Sequence, residues 1–202
     1  MLLRPESYGL PMEWREFDRL VLESIDGIVR AVKPEHLALP TPCTGWTLDD
    51  LLRHMIGQHR GFAAAARGDA PGVAVWEQVT LGPDPYETYR AAAEEVTIAF
   101  LNPVAILPIL GYGEFPPSVA MRMHSVDYLA HGWDVARTIG APSDLDAALC
   151  ATGIEVARRW PETAFGDGGP FAAHVPISED APVDQRLMAY LGRDPGWTPD
   201  AS

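Results

Sequence analysis

Four long stretches of the chain repeat apolar residues at three- and four-residue steps, and each is closed by proline or glycine. Nothing else in the sequence restricts the fold as much, because a stripe with that period lies on one side only of a helix. In residues 12–32 the stripe is Trp14, Phe17, Val21, Ile25, Ile28 and Val32, closed by Lys33-Pro34. From Thr47 to Gly68 it is Leu51, Met55, Ile56 and Phe62. Thr47 can accept from the first free amides there, and Asp50 three residues on resembles a capping box with a shorter acid. Residues 85–101 carry Tyr86, Tyr89, Ala93, Val96 and Phe100. Residues 118–139 carry Met123, Val126, Ala130 and Trp133 and end at Gly140 before Pro142. A fifth helix is expected from a Ser143 cap to about Trp160, and a tail helix over residues 183–191. Strand signals are weak: a short extended piece over 73–76 and brief alternation near 171–177. Residues 102–117, rich in proline and glycine, are expected to be irregular and to close one end. The expected fold is all-α, an antiparallel up-and-down four-helix bundle with extra short helices and loops. A single domain over 12–197 would lie between loose termini at 1–11 and 198–202.

Composition narrows the function classes. An apolar share of 47% fills a real core in 202 residues. A formal charge of −13 opposes binding to phosphate backbones or anionic lipid, so no nucleic-acid or membrane partner is expected. No apolar run approaches the ~20 residues of a membrane span. The first residues lack a basic segment followed by an apolar one, and two cysteines make no disulfide framework. The expectation is a cytoplasmic protein.

The chemistry concentrates on the 118–139 helix. Asp127 and His131 are four residues apart, so they stack one turn above the other, and His124 lies a turn below Asp127. The stripe borders the apolar one, where a carboxylate and imidazoles are costly to bury unpaired. A divalent metal is the natural partner, with ligands at about 2.0–2.2 Å and two of them supplied by one helix turn. His54, between Leu51 and Met55 on its own wheel, is the best third donor. The competing reading is a solvent-facing Asp–His pair beside a hydrogen-bonded core histidine. Two long helices that each set a donor beside an apolar face favour the metal. Cys43, next to Pro42 and Gly45, reads as a small packed thiol in a turn, and Cys150 as core. Trp46 and Trp133 read as packing anchors. Asp134 either orients His131 or, the stronger expectation, faces solvent or Arg137, and Arg193 and Asp194 are expected to clamp the tail to the bundle.

Three blocks carry a resemblance. Thr41-Pro42-Cys43-Thr44-Gly45-Trp46-Thr47, followed by Leu51-Leu52-Arg53-His54, resembles the entry to the second helix of DinB-like proteins, in their mycothiol-dependent maleylpyruvate isomerase-like branch. His131-Gly132-Trp133-Asp134-Val135-Ala136-Arg137, followed by Gly140, is similar to that branch's metal-bearing helix. Residues 184–195 resemble the ending of an actinobacterial metal-binding subgroup. The blocks fall in family order and span roughly 12–197. The resemblance implies one divalent metal near the bundle's end, its ligands falling on His54, Asp127 and His131. Isomerases of the branch commonly have Glu at the first position of the pair, where Asp127 is one methylene shorter. It further implies a low-molecular-weight thiol such as mycothiol as cosubstrate, and thiol transfer to a small electrophile or thiol-assisted isomerisation. The ion expected is Zn²⁺, with Ni²⁺ as the alternative, in a monomer or homodimer. His124 is expected beside the ligands or facing substrate, and Arg53 and Arg122 either face a substrate carboxylate or are solvated. The alternative function is a non-catalytic protein that binds or senses a small ligand through the same metal.

Overall fold

The computed structural model describes residues 13–199, so the expected loose leader over 1–11 and the last residues of the expected loose tail, 200–202, lie outside the described residues. The four predicted long helices are present: α1 (Trp14–Arg30), α2 (Leu48–Ala66), α4 (Pro85–Ala99) and α5 (Pro117–Ile139). Between the second and third of these comes a short helix, α3 (Val73–Glu77), and α6 (Ala147–Ala157) and α7 (Val183–Tyr190) follow α5. The fold is an all-α four-helix bundle in which α1 packs on α5 and α2 on α4, each pair running the same way, and the antiparallel α2–α5 and α1–α4 contacts close the square. The pair α6 and α7 packs together against the outside of α5 and α1.

Local chemistry sets the element ends. The Asp50 amide donates to the Thr47 hydroxyl at 3.3 Å and the Thr47 amide to the Asp50 carboxylate at 2.9 Å, so the capping box forms with the shorter acid. Gly140 closes α5 at φ +67°, a conformation that costs a side chain-bearing residue more. The fifth helix starts later than expected: Asp146, not Ser143, receives the Ala148 and Leu149 amides, both at 2.9 Å. Several caps are on offer there, and the one chosen follows the buried Leu145.

Two expectations of extended chain are corrected. Residues 73–76 are helical, in α3, because Trp76 must reach α2, where Gly57 and Gly61 leave a berth one turn apart. A Cβ on Gly57 would lie 1.9 Å from the Trp76 carbonyl oxygen, and one on Gly61 2.2 Å from the Trp76 ring. Residues 171–177 hold no strand, only an isolated bridge between Phe165 and Phe171, since their aromatic side chains gather with Trp160 and Tyr190 into a cluster instead of a sheet face. Conversely, the segment expected to be irregular contains a small antiparallel hairpin, β1 (Leu107–Ile109) and β2 (Gly113–Phe115). Pro108 disguised it, because proline in a run argues against a strand except at an edge, and both strands here are edges. Buried Leu107 and Ile109 seat the hairpin on the bundle. Trp133 is 2% exposed, as an anchor should be. Among the described residues no helix is long and apolar enough to cross a membrane.

Candidate metal centre

Helices α2 and α5 touch, and at that seam the bundle brings His54, Asp127 and His131 together. One ligand atom from each lies within 4.8 Å of the other two. His131 Nε2 is 3.3 Å from Asp127 Oδ1, and His54 Nε2 is 3.9 Å from Asp127 Oδ2. Two ligands each about 2.1 Å from one tetrahedral ion stand about 3.4 Å apart, so this donor set fits a divalent cation without rebuilding the helices. The site is graded in exposure. The His54 and Asp127 side chains are 30% and 24% exposed, whereas that of His131 is 6%. One edge is therefore open to an incoming molecule and the other is sealed.

Charge follows that gradient. Burial, then the nearby His131, pushes the His54 imidazole down to about 4, which leaves it neutral with a free lone pair. Burial works upward on Asp127, but His131, His54 and Arg193 outweigh it and hold the carboxyl well below the usual range. Burial opposes protonation of His131, yet Asp127 and Asp134, with Cys43, raise it well above an ordinary histidine. A metal-free site thus holds a proton between two carboxylates, at the place where a cation fits.

The far side of His131 is built from Asp134, Arg193 and Cys43. His131 Nδ1 donates to Asp134 Oδ2 at 3.0 Å. Asp134 is fully buried, which corrects the expectation that it faces solvent or Arg137; Arg137 instead donates to the Trp197 carbonyl. On a helix wheel Asp134 lies about 20° from Asp127, on the ligand stripe itself; what spacing does not give is its other partners, which come from a turn and from the tail. Arg193, just after α7, donates to both Asp134 oxygens at 3.4 and 3.1 Å, and the Cys43 thiol donates to Oδ2 at 3.2 Å. Arg193 does clamp the tail to the bundle, whereas Asp194 only accepts from its own turn, from the Gly196 amide. Cys43, His131 and Asp134 form a second group of three donor atoms, also within 4.8 Å of one another.

Three other candidates are not brought to the donors. His124 is wholly buried, with Nδ1 2.7 Å from Asp18 and Nε2 3.0 Å from His59 Nδ1, so it belongs to a separate cluster in the core. Arg53 is held by Asp49 and the Val79 carbonyl. Arg122 lies over the Trp14 ring at 4.9 Å and donates to the Ser118 carbonyl. Two aromatics bear on the open edge, Trp46 by contact and Tyr112 through the field of Asp127. The Trp46 ring centroid is 5.0 Å from that of His54, and Tyr112, in the β1–β2 turn, has its phenol raised by burial and by the charge of Asp127.

Comparison with known proteins bears on the family and the fold. The model of the mycothiol maleylpyruvate isomerase N-terminal domain family matches residues 19–136, more than half of the chain. Two uncharacterised proteins, from two strains of Mycobacterium tuberculosis, are each 28% identical over 179 residues, covering 85% of this chain and 92% of the relative. Among solved structures, the mycothiol-dependent maleylpyruvate isomerase superposes with a TM-score of 0.55 at 18% identity, covering 71% of this chain and 68% of that one. A histidine-to-alanine mutant of that isomerase gives 0.57 at 17% identity over the same shares. At those identities the superpositions speak for the fold alone. The chain belongs to the mycothiol maleylpyruvate isomerase N-terminal domain family.

Proposed function

We propose that this chain is a divalent-metal protein of that family, in which His54, Asp127 and His131 hold Zn²⁺, or Ni²⁺ in its place. It uses the ion to join a small thiol of the mycothiol type to a small electrophile, by thiol transfer or thiol-assisted isomerisation. The observation that carries this reading is the convergence of three donor atoms from two helices within 4.8 Å, with one edge open. When bound, a metal with three protein ligands supplies Lewis acidity that lowers a thiol's pKa or polarises a carbonyl. The protein's part is positioning. His54 enters neutral, Asp127 enters ionised, and the sealed side fixes His131 while the open edge admits the thiol past Trp46 and Tyr112. The site would work in the cytoplasm, in a monomer or homodimer, with no nucleic-acid partner.

Elemental analysis of the purified protein, followed by a thiol–electrophile conjugation screen, tests the proposal. About one ion per chain and a conjugation rate abolished by chelation are expected; metal-loaded protein that does not accelerate any conjugation rejects the enzymatic part. One observation favours a second reading, a binding or sensing protein without turnover. Arg53 and Arg122 are engaged elsewhere, so neither cation is free to bind a substrate carboxylate. In that case a small acid stabilises the fold in a metal-dependent way by RT ln(1 + [L]/Kd), read as a rise in melting temperature, and nothing turns over.

A further inference from the structure

His131 belongs to both groups of three donor atoms, through opposite ring nitrogens. Nε2 faces Asp127 and the His54 side; Nδ1 faces Asp134 and Cys43. An ion could be taken on either side, and the sequence does not choose between them. The structure does, through Arg193. Asp134 Oδ2 receives His131 Nδ1 at 3.0 Å, Arg193 Nη2 at 3.1 Å and Cys43 Sγ at 3.2 Å, and Oδ1 receives Arg193 Nε at 3.4 Å. Arg193 Nη2 is also 3.8 Å from Cys43 Sγ. The second group therefore already has its cation, a guanidinium fixed by the Leu191 carbonyl at 2.9 Å, and its lone pairs are spent. Arg193 lies beyond the matched region 19–136, so the tail of this chain supplies it.

We infer that Asp134 is a positioning residue for the metal ligand His131, and that Arg193 keeps Asp134 and Cys43 from becoming ligands themselves. Asp134, an acceptor only, keeps the hydrogen of the neutral imidazole on Nδ1, so the lone pair on Nε2 points to Asp127 and His54. Partners behind a ligating histidine fix its tautomer and ring orientation in this way. With the guanidinium opposite, Asp134 carries out that role without competing for the ion.

The inference rests on the metal reading above, and the experiment separates the two. Zn²⁺ affinity is measured by competition with a chromophoric chelator, and the Co²⁺ absorption spectrum is recorded, for the unvaried protein, Asp134→Asn and Arg193→Met. Asp134→Asn is expected to weaken Zn²⁺ binding roughly 10–100-fold, the usual effect of losing such a partner. Arg193→Met is expected to expose Cys43, giving a thiolate-to-Co²⁺ charge-transfer band that the unvaried protein lacks and that a further Cys43→Ala change removes. A merely structural ion pair predicts no such band. If Asp134→Asn fails to fold, combining it with Arg193→Met and Cys43→Ala removes both charges and the spare thiol together, and the same affinity loss is expected. Unchanged affinity in folded Asp134→Asn overturns the positioning role. A charge-transfer band already present in the unvaried protein, or none in Arg193→Met, overturns the guarding role of Arg193. Failure of the unvaried protein to bind Zn²⁺ or Co²⁺ instead removes the metal reading itself.

Discussion

Helix α5 carries two histidines seven residues apart, and each directs Nδ1 at an aspartate: His124 at Asp18, 2.7 Å away, and His131 at Asp134, 3.0 Å away. Their second nitrogens meet different company. His124 Nε2 faces His59, another buried imidazole, with Phe62, Phe100 and Tyr128 packed around. His131 Nε2 faces a carboxylate that is 24% exposed and a second histidine that is 30% exposed. The same backed imidazole thus makes core in one place and a candidate site in the other. What separates them is whether Nε2 looks at a neutral ring in a closed space or at an anion beside an opening. The closed cluster is satisfied around His124: Ser125 also donates to Asp18, at 2.9 Å, and the His59–His124 bond needs no ion, while His59 Nε2 has no partner among the described residues. The open cluster gathers two carboxylates around one imidazole, an arrangement that calls for a cation.

The sharpest way to break the comparison is to remove each histidine. His131→Ala is expected to take metal content from about one ion per chain to nearly none, because a three-ligand site does not survive the loss of one. Elemental analysis after gel filtration reads it, and full occupancy in that variant would take His131 out of the ligand set. Next in size, Trp133→Ala is expected to cost on the order of 3–5 kcal/mol, since its ring is 2% exposed and fixes the rotation of α5 that aims both histidines. An unchanged denaturant midpoint would show that the helix rotation is held by something else. His124→Leu is expected to keep metal content and to lose about 1–3 kcal/mol, the usual cost of taking a partner from a buried polar group, here from Asp18, which keeps only Ser125, and from His59. Loss of metal in that variant would join the two clusters that the structure separates.

How much of this was legible in the sequence follows from the range of the interactions. The long helices and the Asp127–His131 pair are periodic and local, so spacing reveals them. His54 could be found because its own helix placed it beside an apolar face. The partition between the two clusters was not legible, because it depends on what packs opposite α5. Asp18 is more than a hundred residues from His124, and although the wheel sets it about 20° from Ile25, at the edge of the α1 stripe, it does not say what Asp18 meets. The same holds for Asp134: its partners Cys43 and Arg193 come from a turn and a tail 91 and 59 residues away. Arg53 and Arg122 sat near the ligands in sequence and misled for the converse reason, since a long side chain goes to the nearest acceptor or ring. The β1–β2 hairpin stayed hidden behind Pro108.

The smallest effect is the share of the pH dependence that one histidine of the closed cluster contributes. His59 is wholly buried, and desolvation, then the neighbouring His124, holds its pKa well below that of a free histidine. The groups around it are His124 and Tyr128 on α5 and Tyr89 on α4, with Asp18 on α1 behind His124. None places a carboxylate directly against the ring. A histidine whose pKa is lowered on folding binds protons more readily when unfolded. Its neutral form therefore supports the fold fully above the unfolded value of about 6.5, and that support declines as pH falls below it. The slope for one such group is at most about 1.4 kcal/mol per pH unit. His54, lowered to about 4, adds the same sign in metal-free protein, whereas His131, raised, supports the fold in its protonated form and adds none of this loss on acidification. Chemical denaturation of metal-free protein between pH 7 and pH 5 should therefore show falling stability, and His59→Phe should flatten the slope by roughly the share of one histidine. A slope that His59→Phe leaves untouched would place the titrating group in the open cluster, and the closed one would then be only packing.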